Sequence, residues 1–544
     1  MRTRILTAAA VLTLAGSGLV PGQHSVRAEG VGTTGVHGPT AAGVAIDPRR
    51  LPVQSGAVSA QGVDLTPAPE DAAVFAQQKA QANAAAAAQA SMQGAVTSLT
   101  PLATSSTGFL GMNMNDACPA GFCYHTPDGA LAVGPTSMLE VVNQAWAVYD
   151  RSGNRLLGPV KLAGFFGTSN PPYDVRTLYD AGNGSGGGYG GGSGRFVMMS
   201  LTKGKSSSDY WIAVSQNNSP QTGGTVWCRY QLDARTRYGG STAAADYPGM
   251  GMDGNNIYIT SNQLVFGSGL FQGARVLVIP KSSIYPNTSS GSCPKATSTD
   301  FPHLLNPDGY KTYTVQPANE PDAVPGQTSP PMFFVNSRGS GSSQIIVRSM
   351  GSGPTLYAPY AVNVAKYDTP ANAPQLNGQA IYTGDVTLLG AVYRYGTIYT
   401  ANNTRTVSNG STANPYSSAQ WYELTPGSST GVSHTITNAS VAFYMPQVIV
   451  GCSTTSVPCP TPFVALEFTG SGRSQPASAY RMLAGGTAAL LHSGVGGWTY
   501  TGSWGDFPGV STDPNDSTRV WLEGEYVKTP TSWGTAIGST CSTC

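Results

Sequence analysis

Asp246-Tyr-Pro-Gly-Met-Gly-Met-Asp253, followed by Ile257-Tyr-Ile-Thr-Ser-Asn262, is the stretch on which the fold turns. A carboxylate and a Pro-Gly pair break the chain, and a short apolar run follows. Asp253-Gly-Asn then marks a reversal, and a run of β-forming residues returns to end on Asn262. This reads as a short strand, a tight turn and a longer strand.

Working outward, the same texture recurs on both sides, as expected when one supersecondary unit is repeated. Upstream lie Asp128-Gly-Ala-Leu-Ala-Val-Gly134 with Leu139-Glu-Val-Val-Asn143, and Asp174-Val-Arg-Thr-Leu178 with Arg195-Phe-Val-Met-Met-Ser200. Downstream come Asp322-Ala-Val-Pro-Gly326 with Met332-Phe-Phe-Val-Asn-Ser337, and Asp385-Val-Thr-Leu-Leu-Gly390 with Thr397-Ile-Tyr-Thr-Ala-Asn402. A sixth unit departs, with Gln447-Val-Ile-Val-Gly451 where an aspartate is expected, before Pro462-Phe-Val-Ala-Leu-Glu-Phe468. The seventh is Asp506-Phe-Pro-Gly-Val-Ser-Thr-Asp513 with Arg519-Val-Trp-Leu-Glu-Gly-Glu-Tyr526. A further aromatic or aliphatic strand usually follows, as at Trp146–Tyr149, Trp211–Val214, Val276–Ile279 and Trp421–Leu424. Asp128 and Asp506 are 378 residues apart over six intervals, a mean of 63. That suits a four-stranded blade with loops and is too long for a solenoid turn. The expected fold is all-β: a seven-bladed β-propeller of four-stranded antiparallel blades over residues 106–544, preceded by a low-complexity N-terminal segment.

Composition narrows the function classes. The 544 residues are 40% hydrophobic and only 10% charged, with 68 Gly and 39 Pro. Lys+Arg 29 against Asp+Glu 28 leaves no surplus of cations to displace phosphate counterions, so no nucleic-acid partner is expected. No apolar run reaches 18 residues, so no membrane span is expected. Met1–Arg4 is basic, Ile5–Val20 is apolar, and Val26-Arg27-Ala28 offers small residues at the cleavage positions. Residues 1–28 are thus expected to be a signal peptide, with export to an extracellular or periplasmic location. Residues 29–105 read as a flexible Ala/Gly/Pro-rich spacer or pro-segment, with one helix expected within Pro67–Gln93, started by Glu70 and Asp71.

Eight cysteines, an even number, agree with an oxidising compartment. Spacing suggests Cys118–Cys123, Cys452–Cys459 and Cys541–Cys544, leaving Cys228 with Cys293. A zinc reading of Cys541-Ser-Thr-Cys544 lacks a second ligand pair.

The last unit carries the most specific signature: Trp504-Gly-Asp506-Phe-Pro-Gly, Asp513-Pro-Asn-Asp516, Trp521 and Glu525-Tyr526. With Ala132-Val-Gly-Pro135, Val142-Asn143 and Ala147-Val-Tyr-Asp150, it resembles secreted bacterial β-propeller proteins related to the neuraminidase-repeat, sialidase-like superfamily, over residues 108–538. The resemblance implies a propeller scaffold, while activity on such scaffolds resides in loops. The sialidase repeat Ser/Thr-x-Asp-x-Gly-x-Thr-Trp is approached only at Asp150-Arg-Ser-Gly153 and at Asp513 to Trp521. Arg176, Arg338, Arg394 and Arg473 are not assignable as a three-arginine carboxylate clamp.

The recurrent aspartates Asp128, Asp174, Asp246, Asp322, Asp385 and Asp506 stand at the starts of the inner strands and should form a ring near one mouth of the channel. Two readings are open: capping of backbone N–H groups that locks adjacent blades, or a site that binds Ca²⁺ or supplies a glycosidase acid/base pair. Asp506, Glu525 and Asp246 are the candidate catalytic carboxyls, with Glu523 on the same face as Glu525. Trp504, Tyr247, Arg176 and Asp174 are the candidate substrate-binding residues. His125 and Tyr247 are the base and acid of a polysaccharide-lyase alternative. The expected function is binding or hydrolysis of an extracellular polysaccharide or cell-surface glycan by a monomer. The competing reading is a non-catalytic interaction or adhesion module.

Overall fold

The computed structural model describes residues 32–51, 62–63, 71–92, 108–118, 123–182, 194–322, 331–351, 353–377, 379–405, 415–455, 459–499 and 504–542. The leader, the cleavage site and the Gly-rich insertion at 183–193 lie outside these residues. The chain is mostly β-strand, with few helices.

The third repeat folds as the motif requires. Ser241–Met252 pairs antiparallel with Asn256–Val265, which pairs with Phe271–Pro280 and then Thr299–Phe301. Asp253 drives the first reversal, accepting from the N–H groups of Asn255 and Asn256 at 2.7 Å each. The neighbouring antiparallel groups have the same order. One runs Ala130–Val133, Ser137–Val142, Ala145–Asp150 and Arg155–Lys161. The next runs Tyr173–Asp180, Arg195–Lys203, Ser208–Ser215 and Trp227–Asp233. Gln316–Asn319 and Leu388–Arg394 each open a further group, and the two join through a parallel contact of Ala318 with Ala391 and Asn319 with Val392. Ala442–Cys452 opens another. Gly509–Thr512 opens the last, with Arg519–Thr529 and Ser532–Cys541. Its outer strand is Gly108–Asn113, contributed from the other end of the chain.

The first strands of these groups line one channel of about 90 Å³, touched by Leu131, Arg176, Met250, Gln316, Leu389, Val448 and Val510 among others. Ser137–Val142 is buried along its whole length, because sheets press on both of its faces. This explains the low charge: strands covered on two sides read as continuous apolar runs. The core follows the same interfaces, as where Trp146, Phe165 and Trp227 meet with ring centroids 5.2 to 5.9 Å apart.

Two parts of the 29–105 segment have defined places. Thr33–Thr34, Val36–His37 and Val44–Ile46 add to the outer edges of three successive groups, through Thr355–Leu356, Thr299–Phe301 and Trp227–Asp233. Strands of two or three residues give no alternation to read, which is why the sequence pattern shows none there. The helix spans Ala72–Met92, and Asp71 caps it by accepting from the N–H groups of Ala73 and Val74.

Cys228–Cys293 and Cys452–Cys459 are disulfides, with Cα atoms 5.4 and 5.8 Å apart. Cys118 and Cys541 are also disulfide-bonded. Their expected partners, Cys123 and Cys544, have side chains outside the described residues.

Candidate functional site

The starts of the inner strands share a backbone device. Asp128, Asp174, Tyr247, Thr314 and Met445 all have positive φ, between 43° and 53°, and Gly384 has 63°. Such conformations are strained for residues with a Cβ and persist where neighbours hold them. Here a side chain from the adjoining group takes the N–H. Asn143 Oδ1 accepts from Asp174 at 2.8 Å, Asn262 Oδ1 from Thr314 at 2.8 Å, and Asn403 Oδ1 from Met445 at 2.7 Å. Carboxylates take the same part: Asp174 Oδ2 accepts from Tyr247 at 3.2 Å, and Asp128 Oδ1 from Asp506 at 2.8 Å. The Asn that ends the second strand of several repeats is therefore a clamp on the next group.

This geometry corrects the expected ring. Asp322 is not in it. The inner strand of the fourth group is Gln316–Asn319, reached through Thr314, whereas Asp322 lies beyond it, exposed, and paired with Arg394 at 2.8 Å. Asp322-Ala-Val-Pro-Gly326 shares the carboxylate and the Pro-Gly pair of the other repeats, whereas Thr314-Val-Gln-Pro317, which takes their place in the fold, carries no carboxylate. The remaining five aspartates do come together. Asp128, Asp174, Asp246 and Asp385 all act electrostatically on Asp506.

Their surroundings differ. Asp128 is 1% exposed, and its Oδ2 accepts from Asn143 Nδ2 at 2.7 Å and Thr126 Oγ1 at 3.3 Å. Asp385 Oδ1 accepts from the Thr387 N–H at 2.7 Å. The Asp506 carboxyl accepts no hydrogen bond among the described residues, although it is only 4% exposed. Burial, and after it the four neighbouring carboxyls, push Asp506 well above the ordinary carboxylate value, which favours its protonated form. Burial and then Asp128 and Asp246 do the same to Asp174.

One guanidinium faces this group. Arg176 lies against the Phe507 ring, its Cζ 3.2 Å from the centroid, and its Nη2 is buried without a partner. Burial pushes Arg176 down to about 10, against the pull of Asp174, Tyr247 and the other carboxyls. Tyr247 also packs on Phe507, with the rings tilted by 50° and centroids 4.5 Å apart. Arg338, Arg394 and Arg473 are engaged elsewhere, with Asp308, Asp322 and Tyr416.

Trp504 is 1% exposed and donates its indole N–H to Thr469 Oγ1 at 3.1 Å, so it is a wall residue with no open face. Glu525 lies behind it and accepts from the Gly505 N–H at 2.8 Å. Glu467, Glu523 and Glu525 act on one another between the last two groups, and burial raises all three well above the ordinary value. Both oxygens of Glu467 lack partners. Gly524 and Gly129 leave the room these glutamates use, since a Cβ at either would collide with the Glu467 or Glu523 carboxyl. Among the described residues no group of three or more His, Cys, Asp or Glu side chains is placed to hold a metal ion.

The sequence reading missed Lys79. It is the single charged residue of the Ala72–Met92 helix, and a lone cation in an Ala/Gln-rich helix was the available signal. The helix lies on the loops that lead into the Leu388–Arg394 strand. Lys79 Nζ donates to Pro370 O at 2.9 Å, Thr383 Oγ1 at 2.9 Å and Gly384 O at 2.8 Å, beside Asp385. Burial pushes its ammonium down to about 7, with Asp385 opposing.

A separate groove of about 810 Å³ opens between the Val432–Ile436 and Gln475–Leu483 strands. Trp421 and His434 stack in it at 3.9 Å, and His434 Nε2 is 3.0 Å from Glu423 Oε1.

No protein-family model matches the chain, and no curated protein matches it. Solved structures similar to it include a mutant of Trypanosoma rangeli sialidase with trans-sialidase activity, at 10% identity and a TM-score of 0.35. That match covers 73% of this chain and 57% of that one. The GH93 α-L-arabinofuranosidase of Fusarium graminearum is similar at 8% identity and a TM-score of 0.35, over 80% of this chain and 99% of that one. A Synechocystis apocarotenoid oxygenase mutant is similar at 12% identity and a TM-score of 0.26, over 73% and 65%. Likeness this distant, spanning hydrolases and an oxygenase, carries no argument about activity.

Proposed function

We propose that the chain is a secreted bacterial seven-bladed β-propeller whose channel mouth takes up an extracellular glycan and hydrolyses a glycosidic bond. The blade count rests on the first strands that line one channel, from Ala130–Val133 to Gly509–Thr512. The activity rests on one observation: the buried Asp506 carboxyl has no hydrogen-bond partner among the described residues and is set among four other carboxyls, which favour its protonated form. Glycoside hydrolysis needs a carboxyl that keeps its proton to give to the leaving oxygen and a carboxylate that acts as base or nucleophile. Asp506 takes the first part, and Asp246 or Asp385 takes the second. Asp128 and Asp174 are occupied as clamps.

Mature protein incubated with neutral, basic and uronate-containing polysaccharides tests this. New reducing ends that disappear in Asp506→Asn support hydrolysis. Absorbance from unsaturated sugars would make it a lyase and transfer the chemistry to Tyr247 and His125. Silence across the panel favours the second reading, a non-catalytic interaction module, for which the Trp421–His434 groove is the supporting observation.

A further inference from the structure

We infer that the channel mouth contains a binding site for a primary ammonium group, and that Lys79 occupies it as an internal stand-in for a ligand. The site is built from acceptors alone. Pro370 O, Gly384 O and Thr383 Oγ1 converge on Nζ at 2.8 to 2.9 Å. The Thr383 hydroxyl donates its own hydrogen to Ala371 O at 3.1 Å, which turns a lone pair toward Nζ. The Tyr382 ring centroid lies 4.9 Å from Nζ, and Asp385 supplies negative charge beside it. An alkylammonium has three N–H donors and no acceptor, matching three oxygens that offer no donor in return. A sugar hydroxyl, with one donor, leaves two of them unpaired.

Part of the cradle is held from the strand side as well as by the helix. Thr383 O accepts from Asn403 Nδ2 at 2.7 Å, and Asn403 also clamps the Met445 N–H. The helix is held mostly by small contacts. Ala82 and Ala86 pack on Ala371, Phe75 meets Tyr382 edge-on, and Gln78 and Asn83 make one hydrogen bond each to Thr369 and Asn372. Alanine faces bury little area, so Lys79 contributes much of the specificity of docking. A ligand that brings its own ammonium to this cradle competes with the helix. Resting on the glycan reading of the mouth, the ligand class is an amino sugar with a free amine, as in a de-N-acetylated polysaccharide.

The test uses the full chain at about pH 6, where the amines are charged. Lys79→Ala should lose thermal stability and regain it in n-propylammonium chloride but not in tetramethylammonium or sodium chloride at equal ionic strength. The same variant should bind a glucosamine hexamer at least about tenfold more tightly than an N-acetylglucosamine hexamer in calorimetry. No rescue, or equal binding of the two hexamers, overturns the inference. If Lys79→Ala does not fold, hydrogen exchange in the wild-type helix decides. Propylammonium should accelerate it, and an unchanged rate counts against the site. Hydrolysis of neutral glycans without amine preference would leave the hydrolase reading standing and remove this one. Amine binding without new reducing ends would do the reverse.

Discussion

The backbone N–H of Asp506 is donated to Oδ1 of Asp128 at 2.8 Å, across 378 residues of chain. It joins the start of the last group to the start of the first. The other oxygen of Asp128 is committed to Asn143 and Thr126, so one buried carboxyl fixes three partners.

Replacing Asp128 with Ala orphans a buried N–H and an amide together, and should cost about 2 to 5 kcal/mol in urea unfolding. Asp128→Asn keeps an accepting oxygen and should cost less than half as much. Equal stability of the alanine variant and wild type would remove the clamp role.

Asp506 behaves differently, because its carboxyl accepts nothing in the described structure. Asp506→Asn should melt within a few degrees of wild type while lowering glycan hydrolysis by about 100-fold or more. A variant that unfolds would place Asp506 with the clamps.

The asparagine clamps should be separable from chemistry. Asn262→Ala and Asn403→Ala each leave the N–H of a residue with positive φ unpaired, at a cost of about 1 to 3 kcal/mol by chemical denaturation. Asn403 also holds Thr383 O, so its variant alone should loosen the Ala72–Met92 helix in hydrogen exchange.

Glu467 gives a pH signature. Its folded-state pKa lies well above that of the unfolded chain, with burial as the main cause and Glu523 and Glu525 adding to it. The neutral form costs least, so stability is fully present below the unfolded pKa of about 4.5 and is lost as pH rises through the folded value. Glu467→Met should therefore stabilise the protein by about 1 to 3 kcal/mol at pH 8, with the gain shrinking toward pH 4. Melting curves at the two pH values check this, and a gain independent of pH would refute it.

The repeat texture was legible because strands buried on both faces leave continuous β-branched runs between Gly and Pro breaks, as at Ile257–Thr260. The helix start was legible from the carboxylates Glu70 and Asp71, expected in its first turn, although Asp71 stands just before the helix and caps it. Asp322 was misread because the feature that recurs is a backbone conformation and an incoming N–H, and Thr314 or Met445 serves that as well as an aspartate does. Spacing in sequence also gave no sign that Trp504 would be enclosed, since enclosure depends on Thr469 and Trp498 from distant strands. Lys79 escaped notice because its three acceptors are two backbone carbonyls and a threonine, which leave no motif.

The pairing of Gly108–Asn113 with Ser532–Cys541 has a consequence for biosynthesis. The last sheet cannot gain its outer strand until Ser532–Cys541 has left the ribosome. Until then the early sheets wait with one lateral face uncovered. Nonsense mutations before Cys541 should therefore be as damaging as early ones, because each removes part of the strand that Gly108–Asn113 pairs with.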